Sequence, residues 1–138
     1  MSEQSNNQAT SNEGGHSVAV TLVNKTDWLL ARIDADLEHG EWAKDQFPPD
    51  YISPQSETQS EGRWKNVADE LVPHTAGYVK YAFEDAGRDI LKVSWNNPHT
   101  GWNTYNGYID GPDKDKYACS YTGGAGSDAS VTFTLEKI

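Results

Sequence analysis

The feature that most constrains the fold is a period of two, repeated in short segments and broken by turn residues. Val18, Val20 and Leu22 alternate with Ala19, Thr21 and Val23. Val79, Tyr81 and Phe83 alternate with Tyr78, Lys80 and Ala82, and Leu91, Val93 and Trp95 with Lys92 and Ser94. Val131, Phe133 and Leu135 do the same against Thr132, Thr134 and Glu136. Successive side chains of a strand point to opposite faces, so each segment is a strand with one buried face. Leu29, Ala31, Ile33, Ala35 and Leu37 are predicted to share a buried face opposite Arg32, Asp34 and Asp36.

Turn chemistry separates these runs. Asn24–Thr26, Glu84–Arg88, the loop from Asn96 to Gly101, Gly111–Asp113 and the glycines 123, 124 and 126 are predicted connections. Residues 77–95 read as a hairpin, followed by strands over Tyr105–Asp110 and Tyr117–Tyr121. Residues 38–76 are punctuated by Gly40, Pro48, Pro49, Pro54, Gly62 and Pro73. Only short strands fit there, one near Glu41–Gln46 and one over Gln55–Arg63. Many short strands without a long amphipathic helix predict an all-β, antiparallel sandwich of two sheets. With 138 residues the chain is one domain. Residues 1–16, almost without apolar side chains, are expected to form a disordered tail before a domain at 17–138.

Charge removes several functional classes. The chain carries 11 basic and 21 acidic residues, a net charge of −10. A nucleic-acid backbone or an anionic bilayer is an unfavourable partner for such a surface. The acidity concentrates between Asp27 and Glu70, with 11 acids against four bases. The start, MSEQSNNQAT, has neither the basic nor the apolar region of a cleaved signal peptide, so synthesis in the cytosol is expected.

The usual enzyme signatures are missing: there is no G-x-S-x-G, phosphate loop, G-x-G-x-x-G or H-E-x-x-H. The single cysteine, Cys119, alternates with tyrosines on a predicted strand and reads as a buried thiol. His16, His39, His74 and His99 are scattered without zinc-ligand spacing. Asp110, Asp113 and Asp115 are interleaved with Lys114 and Lys116, which suits a solvated turn better than a cation. No cofactor or metal is implied. The informative cluster is aromatic. Trp95 continues a core face, but Trp102 and Tyr105 flank a loop in NPHTGWNTY. Exposed Trp and Tyr suit a membrane interface or a quaternary ammonium head group. Packing of all these rings within the sheets is the competing use.

These motifs together resemble the aegerolysin family, most closely the small component of two-component bacterial insecticidal toxins. The carriers are VTLVNKTDW from Val20, EGRW at 61–64, AGYVKYAFED at 76–85, KVSWNNPHTGWNTYNGY at 92–108 and KYACSYTGGAGSDASVTFTLEK at 116–137. The resemblance implies a β-sandwich without enzymatic activity that recognises membrane lipid. It further implies pore formation with a larger, often perforin-like, partner protein, and action outside the producing cell on target-cell membranes. The strongly acidic stretch and the segment QFPPDYISPQSETQSEG depart from the family's pattern, which bears on the lipid or receptor. Head-group docking is then expected from Trp102 and Tyr105, with Tyr108, Trp28 and Trp64. The strands read as too short for a membrane barrel, which needs about 9–11 residues with an apolar outer face, and this favours dependence on a partner for the pore. Self-association through a free edge strand is a further expectation. The rival function is a carbohydrate-binding, lectin-like module, because sugars also stack on Trp and Tyr beside Asn and Asp.

Overall fold

A computed structural model of the chain describes residues 16–84 and 89–138. Residues 1–15 of the tail expected at 1–16, and most of the expected turn at Glu84–Arg88, lie outside the described residues, while His16 is described and its carbonyl accepts from the Ala68 amide. Ten strands are present among those described: β1 (Ser17–Lys25), β2 (Leu30–His39), β3 (Glu41–Trp42), β4 (Tyr51–Ile52), β5 (Glu61–Val67), β6 (Thr75–Phe83), β7 (Ile90–Asn97), β8 (Thr104–Asp110), β9 (Tyr117–Gly123) and β10 (Asp128–Lys137). They form two five-stranded sheets, ordered β3-β5-β1-β10-β9 and β4-β2-β6-β7-β8. The result is the predicted all-β sandwich. One pairing departs from the antiparallel expectation: β1 and β10 run parallel at the centre of their sheet.

The alternating faces meet in one core. Val18, Val20, Leu22 and Trp64 from the first sheet pack with Val131, Phe133 and Leu135, against Val79, Tyr81, Phe83, Leu91, Val93 and Trp95 from the second. Trp95 lies about 6 Å from both Trp42 and Trp64, ring centre to ring centre. A buried amide satisfies the Trp95 indole N–H, while the Trp64 Nε1 is buried without a hydrogen-bond partner among the described residues. Asn66 accepts from Trp95 Nε1 at 2.9 Å and donates to the carbonyls of His39 and Glu41. Asn97 Nδ2 donates to the carbonyls of Ser17 and Ser127, tying the two sheets together at one end.

Three expectations need correction. The predicted buried face of the second strand is out of phase in its first half. A bulge between Arg32 and Asp34 shifts the register, so Leu30 is buried and Ile33 is 52% exposed, while Ala35 and Leu37 regain the core. Arg32 instead donates to the Pro48 carbonyl at 2.6 Å and pairs with Asp50 Oδ1 at 2.9 Å. The strand expected over Gln55–Arg63 lies later, at Glu61–Val67, and the one near Glu41–Gln46 is only two residues long. Finally, β1, β2, β6 and β10 reach nine or ten residues, longer than expected. The outward face of β10 is nevertheless polar, with Thr132, Thr134 and Glu136.

Candidate functional site

The register brings three loops to one end of the sandwich. Ser17 opens β1 opposite Val67, the last residue of β5, and Asp128, the first of β10. Thr75 opens β6 opposite Asn97, the last of β7. The connections 68–74, 98–103 and 124–127 therefore leave the same end. Residues 97–103 and 123–127 contain no Asp, Glu, Lys or Arg, a local neutrality that the chain's net charge of −10 makes distinctive.

Backbone geometry explains the glycines here. Gly123, Gly124 and Gly126 all have positive φ, a region that side chains other than hydrogen rarely adopt. At Gly124 a Cβ would also strike the Tyr105 ring. That close approach lets the Gly124 carbonyl accept from both Tyr105 Oη at 2.7 Å and Asn103 Nδ2 at 2.8 Å. Asn103 Nδ2 also reaches the Gly126 carbonyl at 2.8 Å. The two loops are thus stitched together, and a cavity of about 460 Å³ opens between them, lined by His99, Trp102, Asn103, Tyr105 and Tyr121. Tyr105 stands 5.4 Å from Tyr121, ring centre to ring centre, and burial raises its phenol pKa above the ordinary value.

Trp102 is 91% exposed at the tip of its loop. Leu71, in the 68–74 loop, is 89% exposed, and Val72 beside it is partly exposed. Asp69 braces that loop, because Oδ1 accepts the amides of Leu71 and Val72 at 2.8 and 2.9 Å. Those bonds lower the Asp69 pKa. The Trp102 and Leu71 loops are linked through His16, whose carbonyl accepts from the Ala68 amide and whose ring lies edge-on to His99 at 6.3 Å. The histidines expected to be scattered meet in pairs, since His39 and His74 also stack at 3.9 Å.

The five expected docking residues do not converge. Trp102 and Tyr105 share the cavity. Tyr108, three residues along β8 from Tyr105, faces outward from the sheet and is half exposed. Trp28 follows β1 at the opposite end, where its Nε1 donates to Tyr117 Oη at 2.8 Å. Trp64 is a core residue, 1% exposed, and has no surface to offer a head group. Leu71 and Val72 were not foreseen. Their only sequence signal is an adjacent apolar pair between acids and a proline, in DELVPH.

Cys119 lies on β9 with burial pushing its thiol up to about 12, far from a nucleophile's range. The Asp110–Asp115 segment forms a turn in which Asp113 pairs with Lys116 at 3.2 Å. Among the described residues no group of three or more His, Cys, Asp or Glu is placed to hold a metal ion.

No protein-family model matches the sequence, and no curated protein is similar to it. Solved structures do match. The sandwich is shared with the lipid binding protein Nakanori, at a TM-score of 0.73 and 12% identity, over 89% of this chain and 72% of that one. It is shared also with RahU, solved in complex with a TRIS molecule, at a TM-score of 0.63 and 21% identity, over 89% of this chain and 96% of that one. At these identities the likeness shows a common fold.

Proposed function

We propose that the chain is the membrane-binding component of a two-component pore-forming toxin, one directed at insect cells, and that it docks through the Trp102 end. The observation that carries this is a 91% exposed Trp on a charge-free loop, with Leu71 exposed from a linked loop at the same end. An indole at the head-group level gains apolar contact while its N–H stays wet. The absence of charge from residues 97–103 and 123–127 suits a neutral or zwitterionic surface. Two further points support the proposal. The fold is shared with a protein described as lipid binding. The sequence motifs resemble the small component of binary insecticidal toxins.

A larger partner supplies the pore in this scheme. A membrane strand needs an apolar outer face over about 9–11 residues. The ten-residue strands β10 and β2 point Thr132, Thr134 and Glu136, or Asp34 and Asp36, outward.

The test is co-sedimentation with vesicles of phosphatidylcholine, sphingomyelin or phosphatidylserine. Binding to a neutral vesicle, weak on phosphatidylserine and unaffected by free saccharides, is expected. Leakage of those vesicles should require added partner. Failure to bind any vesicle, together with retention on a glycan surface competed by free sugar, would replace this function by the lectin-like one.

A further inference from the structure

We propose that β9 is a self-pairing edge through which two copies of this chain associate about a two-fold axis at Ser120. β9 ends its sheet, with β10 on one side and no strand on the other. The Gly124 amide donates to the Ser130 carbonyl at 2.8 Å, and the register continues with Thr122 opposite Thr132 and Ser120 opposite Thr134. Antiparallel ladders alternate, so Ala118, Ser120 and Thr122 turn their backbone groups towards β10. Those of Cys119 and Tyr121 point off the edge, and no described group bonds them.

Edges left in this state are normally blunted by charge, proline, a bulge or short length. The other three edges are blunted. β3 and β4 are two residues long, and β8 is centred on Gly107 and ends in Asp110. β9 runs for seven residues, YACSYTG, without charge or proline, and its outward side chains Ala118, Ser120 and Thr122 are small and exposed.

The position of the free groups selects the second copy as occupant. A two-fold at Ser120 sets Cys119 opposite Tyr121 of the second copy and the reverse, so unpaired groups meet unpaired groups. A slip of one residue would set them against groups already bonded to β10. Small side chains then face each other without a clash, and the half-exposed Tyr121 ring gains cover. Antiparallel pairing also points the two Trp102 ends in opposite directions, so one bilayer engages one end of a dimer.

Sedimentation velocity of the full chain over a concentration series tests this, with three variants. Wild type is expected to show a monomer–dimer equilibrium. Ser120→Lys, which puts two ammonium groups face to face at the axis, should be monomeric at concentrations where wild type is mostly dimeric. Ser120→Cys should form a disulfide-linked dimer on mild oxidation, since directly opposed Cβ atoms lie about 4.5–5.5 Å apart. Ser130→Cys, one strand in from the edge, should not. Circular dichroism confirms that each variant folds. A wild type that stays monomeric at millimolar concentration overturns the proposal. So does a dimer that survives Ser120→Lys, or cross-linking of Ser130→Cys as fast as of Ser120→Cys.

Discussion

Truncating Trp102 to alanine isolates the membrane contact from the fold. The side chain is 91% exposed, so its removal leaves no cavity and folding stability should move by less than about 0.5 kcal/mol. A Trp presents roughly 200 Å² of surface. If half of that leaves water at the head-group level, about 25 cal/mol per Å² gives about 2.5 kcal/mol. Each 1.4 kcal/mol is a factor of ten, so the vesicle partition coefficient should fall about 60-fold. The assay is titration of the full chain with vesicles of the lipid it binds best, followed by the shift in tryptophan emission. Trp28, Trp42, Trp64 and Trp95 remain as a constant background, so co-sedimentation should be run beside it. Unchanged partitioning with an unchanged melting curve would refute docking through this end, because no other fully exposed indole is described.

Other substitutions and treatments read out separate parts of the molecule. Leu71→Ala should weaken vesicle binding by severalfold at unchanged stability, measured in the same titration; no change would remove the 68–74 loop from the docking surface. Trp64→Ala should cost about 3–5 kcal/mol in urea unfolding, as expected for a buried aromatic, with any lipid effect following the loss of fold. Gly124→Ala should displace Tyr105 and destabilise the end loops, seen as a lower melting temperature and weaker vesicle binding. The Cys119 thiol, with its pKa pushed up to about 12, should resist iodoacetamide at pH 8 in the native state and react on denaturation. Asp69 adds a pH dependence whose sign follows from its lowered pKa. Its bonds to Leu71 and Val72 are present above the ordinary carboxylate range and are lost as pH falls through the folded value. Amide exchange at those two residues should show the loosening at acid pH, and Asp69→Ala should abolish that dependence.

The fold was legible where alternation is strong and uninterrupted. Val79, Tyr81 and Phe83 against Leu91, Val93 and Trp95 read directly as the β6–β7 hairpin. Alternation failed where inward positions are polar or glycine. In EGRWKNV the inward residues are Gly62, Trp64 and Asn66, and only one of them is apolar. Asn66 can be buried because Trp95 Nε1 and two carbonyls satisfy it, a tertiary fact absent from local sequence. The bulge at Ile33 and the parallel pairing of β1 with β10 are likewise set by the sheet partner. For the candidate site, the neutral loop around Trp102 was readable. Its convergence with Leu71 depends on strand ends 30 positions apart meeting at one end of the sandwich, and the spread of Trp28, Tyr108 and Trp64 follows from the same topology.

Self-association of a chain with a net charge of −10 raises an electrostatic objection, and the topology answers it. The acid-rich residues 27–70 build β2, β3, β4 and β5, the strands on one flank of both sheets. β9 closes the opposite flank. With strands about 4.8 Å apart, the outermost acidic strand lies roughly 19 Å from β9 across the sheet. Pairing β9 with β9 therefore holds the two acidic flanks about 40 Å apart, some five times the Debye length at physiological salt. The repulsion is largely screened there and returns at about 0.01 M salt, where the Debye length approaches 30 Å, so the dimer should weaken as salt is withdrawn. Pairing through β3 or β4 would bring the two acidic flanks together across the interface instead. A dimer that tightens at low salt would thus argue against the β9 edge as surely as one that ignores Ser120→Lys.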